Sequence, residues 1–188
     1  KYKLAGKKLT IEISATVDRE TPLNMGQHNY FNLCSQSEEN YNICNHLLYL
    51  NASSYTETDQ NLIPTGKILS TEGTKMHFYK KKKIGNISLD DNFILNTGGT
   101  LDNLVAELVN PYNDLSLKLW TDQPGVQVYN ASKLDLNERG LNGKYYGNFS
   151  GICLEAQKFP DSVNHMNFPS IIASPQKPYF HRTEIEIS

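Results

Sequence analysis

Leu9, Ile11, Ile13, Ala15 and Val17 alternate one for one with Thr10, Glu12, Ser14 and Thr16. A two-residue period of this kind commits the segment to a β-strand with one buried and one wet face. No stretch of the chain holds a helical period for more than a few turns, so the pattern points to an all-β fold. Further strand-like runs follow at Tyr30 to Leu33, His46 to Leu50, Leu104 to Val109, Leu115 to Leu119, Val126 to Tyr129, Gly151 to Gln157 and Thr183 to Ile187. Pro111-Tyr112-Asn113-Asp114 reads as the connection of a hairpin. Asn51 to Asn61 reads as a polar connector, and Ile63-Pro64-Thr65-Gly66 as a turn. Lys80 to Lys83 reads as a solvated loop, and Cys34 to Asn45 as a loop with room for a short helical turn. The 188 residues are enough for one domain with a sizeable core.

Several classes of partner are disfavoured. Lys+Arg 18 against Asp+Glu 20 leaves a net charge of -2, which gives no basic field to hold nucleic acid or an anionic membrane surface. No apolar run approaches the roughly 18 residues of a membrane span. Cys34, Cys44 and Cys153 are odd in number and far apart, with no Cys-x-x-Cys pair. Neither a disulfide framework nor a zinc site is suggested, and a reducing compartment, the cytoplasm, is the expectation.

Two stretches carry groups that an ordinary core avoids. In Thr21 to Leu33, polar Asn24, Gln27, His28, Asn29 and Asn32 lie among Met25, Tyr30, Phe31 and Leu33. Each such group left buried and unpaired costs about 1 to 3 kcal/mol, so the segment must be hydrogen-bonded into something specific. For His28 taken alone, a structural histidine beside a turn is the plain reading. In Gly151 to Gln157, Glu155 interrupts a nearly continuous apolar run, and a buried carboxylate needs a partner, a raised pKa or a chemical task. If His28 and Glu155 face one cavity, they form a workable acid and base pair near neutrality. Val126 and Val128 fall on one strand face and Gln127 on the other, where it could bind a hydroxyl. There is no nucleophile elbow, phosphate-cradling glycine loop or metal-ligand spacing, and His77, His165 and His181 read as structural or exposed.

Five motifs then become recognisable together. Thr21 to Leu33, Asn61-Leu62-Ile63-Pro64-Thr65-Gly66, Asp90-Asp91-Asn92-Phe93, Pro124-Gly125-Val126-Gln127, and Gly151 to Pro160 with Asn167-Phe168-Pro169 resemble the successive motifs of the aldose 1-epimerase, or galactose mutarotase, family. They occur in the family's order along almost the whole chain. The resemblance implies a large antiparallel β-sandwich, taken here as one region over residues 1–188, and interconversion of the α and β anomers of free aldoses such as galactose and glucose. It implies no metal or organic cofactor. It further implies that His28 is the general acid at the ring oxygen and Glu155 the general base at the anomeric hydroxyl, with Asp90 and Gln127 binding sugar hydroxyls. Asp91 stands where the family commonly has histidine, which bears on the pKa of Asp90 beside it. An N-terminal portion of the family, with an arginine and a second histidine, has no counterpart. The expectation is therefore a C-terminal portion, incomplete at the N-terminal side, that pairs with a separate N-terminal segment or with itself.

Three rival readings accompany this one. A glycosidase could use Glu155 with Asp90 or Asp161, given carboxyl groups at the required separation. A β-sandwich could bind sugar without turnover. A relative acting on hexose 6-phosphates ranks lower, because no arginine cluster for the phosphate is visible.

Overall fold

The computed structural model describes residues 1–35, 41–136, 138–140 and 143–188. The alternating segment forms β2 (Lys8–Ala15), which lies in a seven-stranded sheet. The strand order there is β1 (Tyr2–Ala5), β2, β15 (Tyr179–Ile187), β11 (Ser116–Thr121), β10 (Ala106–Val109), β5 (Leu47–Leu50) and β8 (Lys82–Lys83). A six-stranded sheet has the order β4 (Tyr30–Phe31), β13 (Ile152–Gln157), β12 (Gly125–Tyr129), β9 (Asp90–Leu95), β6 (Ala52–Thr58) and β7 (Pro64–Ser70). A small pair joins β3 (Thr21–Pro22) to β14 (Ile172–Ala173). Every one of these pairings is antiparallel. The described residues hold no α-helix, and a three-residue 3-10 turn forms at Ser162–Asn164.

The two sheets share one core. Ile11, Leu48, Leu50, Leu108, Leu117, Leu119 and Ile185 come from the larger sheet, and Phe93, Leu95, Val126, Val128, Ile152, Leu154 and Ala156 from the smaller. Burying these side chains between facing sheets is the main stabilising term in a sandwich of this kind. The hairpin read from Pro111 to Asp114 is present as β10 and β11, with Asp114 in the left-handed region at φ 58°.

Three sequence expectations are corrected. Residues 52–58 are not a connector but the strand β6, which pairs with both β7 and β9. Its Ser- and Thr-rich pattern hides it, because only Ala52 and Thr56 are fully buried. Pro64 does not turn the chain but opens β7, an edge strand where its missing N–H is harmless; the turn lies before it, at Asp59 to Leu62. Lys82 and Lys83 are not loop but the edge strand β8 against β5. The strand expected from Tyr30 to Leu33 is present only as Tyr30–Phe31. The helical turn allowed for within Cys34 to Asn45 falls largely on residues 36–40, outside the described residues.

Candidate active site

Strand register gathers the site. On β12, Val126 and Val128 point into the core, which leaves Gln127 and Tyr129 on the opposite face. Asp90 of β9 lies across from Tyr129 and Asn92 across from Gln127. On the other side Glu155 of β13 lies across from Gln127 and Cys153 across from Tyr129, and Tyr30 of β4 lies across from Cys153. Residues directly opposite in an antiparallel pair share a face. Four of them, Asp90, Gln127, Tyr129 and Glu155, border with His28 and Gln157 a cleft of about 320 Å³. That is within the size range of small-molecule pockets. All four sequence-predicted site residues therefore meet.

His28 reaches this cleft from an irregular segment that is tied down at several points. Asn24 exchanges two hydrogen bonds with the Lys158 backbone, donating to its carbonyl at 2.9 Å and accepting from its N–H at 3.0 Å. The Tyr179 hydroxyl accepts from the Met25 N–H and donates to the Met25 carbonyl. His181 Nδ1 donates to the same carbonyl at 3.0 Å, and its Nε2 accepts from the Thr183 hydroxyl at 2.8 Å. Burial lowers the His181 pKa, in keeping with a neutral ring in that arrangement. The polar residues of Thr21 to Leu33 thus find partners, as the cost of leaving them unpaired requires.

The His28 ring stands between two groups of β13. Its Nε2 is 3.4 Å from Glu155 Oε1, and its Nδ1 is 3.4 Å from the Cys153 sulfur. Tyr30 packs against the ring with centroids 5.1 Å apart, and Tyr129 meets it edge-on at 6.3 Å. The His28 side chain is 58% exposed and that of Glu155 13%, so the imidazole lies at the mouth and the carboxylate in the floor. Burial raises the Glu155 pKa; His28 pulls it down and Asp90 pushes it up. The Cys153 thiol is pushed up to about 12, first by burial and then by Glu155 and Asp90, so it stays protonated near neutrality. Gln127 Nε2 donates to Asp90 Oδ1 at 2.8 Å. Gln127 Oε1 and the neighbouring Asn92 Oδ1 are buried and find no partner among the described residues. Each unmet group of this kind calls for an explanation, and a ligand hydroxyl in the cleft is one for Gln127.

Asp91, the departure from the expected motif, lies across from Val128 and does not line the cleft. Burial raises its pKa, and its carboxylate accepts the backbone N–H of Asp90. Asp161 is not brought to Glu155. It follows β13 at the start of the 3-10 turn, within 3.3 Å of His165.

A sequence model of the family described as aldose 1-epimerase matches residues 1–186. The chain belongs to that family. Human galactose mutarotase is 34% identical over 194 residues, spanning all of this chain and 56% of the human protein. The mouse galactose mutarotase is 36% identical with the same coverage, and the Escherichia coli aldose 1-epimerase is 30% identical over 86% of this chain and 49% of its own length. Among solved structures, an aldose epimerase homologue from C. elegans superposes with a TM-score of 0.89 at 22% identity, covering all of this chain and 58% of that one. Galactose 1-epimerase from Lactobacillus acidophilus gives 0.82 at 26% identity, again over the whole chain and 55% of that one. The chain thus spans about half the length of the aldose 1-epimerase relatives it matches.

Three lining or contacting residues of this family member escaped the sequence reading: Cys153, Gln157 and Tyr129. The signal for them was present in the strand period. Each is two positions from a residue already singled out, Glu155 or Gln127, and so had to share its face. Spacing also missed a metal-capable set. One nitrogen of His28, the Cys153 sulfur and a Glu155 carboxylate oxygen lie within 4.8 Å of one another. Cys153 and His28 are 125 positions apart, so no short spacing could reveal the set.

Proposed function

We propose that this chain carries the acid and base centre of an aldose 1-epimerase, which interconverts the α and β anomers of free aldoses such as galactose and glucose. The observation that supports it most is the 3.4 Å approach of His28 Nε2 to Glu155 Oε1 across an open cleft. In a cyclic aldose the ring oxygen and the anomeric hydroxyl are bonded to the same carbon. An acid for one and a base for the other must therefore be close neighbours, as these two groups are. Glu155 takes the proton of the anomeric hydroxyl while His28, as imidazolium, gives a proton to the ring oxygen. The C1 to ring-oxygen bond breaks and an open-chain aldehyde results. After rotation about C1–C2 the two residues exchange roles and the ring closes on the other face of the carbonyl. Proton transfer of this sort typically contributes about 10² to 10⁴-fold. Asp90 and Gln127, bonded to each other in the cleft, offer acceptors and a donor to the sugar hydroxyls.

The glycosidase reading is weaker on the same grounds. Asp161 is engaged with His165 and Asn164, and hydrolysis calls for no histidine beside the carboxylate.

We also infer that residues 1–188 act as one mutarotase-like region and that the edge strand β1 takes up a further strand. All four of its residues are exposed. Tyr2 and Leu4 lie across from Ile11 and Leu9, on the core side, yet are 65% and 73% exposed. A strand from the additional length that the relatives carry, or from a second copy, would cover them. The free thiols Cys44 and Cys153 suit a reducing location such as the cytoplasm. No helix among the described residues is long and apolar enough to cross a membrane.

Polarimetry of freshly dissolved α-D-glucose and α-D-galactose tests the main reading. The chain should speed relaxation to the anomeric equilibrium, and a His28→Ala, Glu155→Ala double variant should not. Relaxation at the buffer rate with saturable sugar binding would instead leave a binding module without turnover.

A further inference from the structure

The Cys153 thiol has no step in the proton transfers above, yet it lies directly against the nitrogen of His28 that faces away from Glu155. Tetrahedral zinc, with Zn–S of about 2.3 Å and Zn–N of about 2.0 to 2.1 Å, holds sulfur and nitrogen about 3.5 Å apart. Cys153 Sγ and His28 Nδ1 stand 3.4 Å apart. A Glu155 carboxylate oxygen completes a set whose ligand atoms all lie within 4.8 Å of one another. An ion held by the other two would draw the Glu155 oxygen inward from that separation. The exposed side of His28 leaves a fourth position for water, and Asp90 adds a second negative charge to the cleft.

We propose that His28, Cys153 and Glu155 form a site for a thiophilic divalent cation, zinc in particular, at the edge of the cleft. Sulfur, imidazole and carboxylate together select such an ion over magnesium or calcium, which favour oxygen donors alone. Binding forms the S–Zn bond as the thiol proton leaves to solvent, so no oxidant or reductant takes part. An ion seated there occupies both groups that the proposed epimerase reaction needs. On that reading zinc and aldose compete, and a chelator restores turnover.

The metal site can be tested without reference to turnover. Zinc is titrated calorimetrically into the reduced 188-residue chain, and cadmium is titrated in parallel to follow the ultraviolet charge-transfer band of a cadmium thiolate. The expected result is one ion per chain with a thiolate band. Affinity should fall by about 100-fold or more in Cys153→Ser and in His28→Ala, beyond the roughly 10- to 100-fold that loss of an outer partner costs. A Cys34→Ser, Cys44→Ser variant should bind as the parent does. Because His28 is exposed, its substitution keeps the test decisive if Cys153→Ser fails to fold. Absence of a cadmium thiolate band, or zinc affinity unchanged in His28→Ala, would overturn the proposal. Polarimetry with zinc and then with chelator is a separate arm. If the chain does not speed mutarotation at all, the epimerase reading falls while the metal titration still decides the site.

Discussion

Glu155 titrates from an unfavourable position. Burial raises its pKa above 4.5, His28 opposes the shift and Asp90 adds to it. A carboxyl with a raised folded-state pKa binds its proton more tightly when folded. Its contribution therefore favours the fold fully below 4.5 and is lost as pH rises through the folded-state value. At neutral pH the ionised group works against stability. Glu155→Gln keeps the shape and removes the charge, so thermal unfolding should show a higher Tm than wild type near neutrality. The difference should shrink as pH falls below 4.5. A difference of the same size at both pH values would contradict the assignment. An active-site group that lowers stability is a common trade in enzymes. Glu155 was legible in the sequence for this very reason, since a carboxylate inside an apolar strand is an anomaly. Cys153 was not, because a cysteine in such a run reads as ordinary core.

At the level of elements, β7 illustrates both what was legible and what was not. Its glycine looked like part of a turn, but Gly66 lies within the strand at φ 84°. A Cβ there would sit 2.7 Å from His165 Nδ1. The ring cannot easily move aside, because its Nε2 donates to the Pro64 carbonyl at 3.1 Å and lies 3.3 Å from Asp161. Gly66→Ala should therefore destabilise by about 1 to 2 kcal/mol from backbone strain alone, and by more with the clash. Denaturant unfolding of Gly66→Ala, and of Gly66→Ala with His165→Ala, separates the two: the double variant should recover the clash and keep the strain. A single variant within about 0.5 kcal/mol of wild type would refute the argument. Strands with alternating apolar residues, such as β2, β10, β11 and β12, could be read directly. β6, β7 and β8 could not, because Ser, Thr, Pro and Lys dominate them and their pairing is set by neighbours rather than by their own pattern.

For the whole molecule, β1 is the exposed flank. Tyr2 and Leu4 present apolar surface on the core side of a strand with one open edge. The isolated chain is expected to self-associate in gel filtration with light scattering, and Leu4→Lys should shift it toward monomer. A soluble, well-folded monomer of the unmodified chain would remove the case for an added strand. The sandwich itself was legible from strand periods and from the motif order. An open edge was expected from the missing N-terminal portion, but its place at β1 was not legible, because an apolar residue in a strand does not announce whether anything covers it.

The order of strands in the larger sheet also bears on how the protein acquires its shape. β15, the last strand in sequence, lies between β2 and β11, pairing Lys8 with Glu186 at one end and Ala15 with Tyr179 at the other. Among the described residues of that sheet, the β1 and β2 hairpin is joined to the rest only through β15. During folding the hairpin must therefore wait for β15 before it joins the sheet. Closure between segments so distant in sequence is slow. Folding chains should accordingly spend their longest exposure with the larger sheet half assembled, the interval in which chaperone engagement matters most.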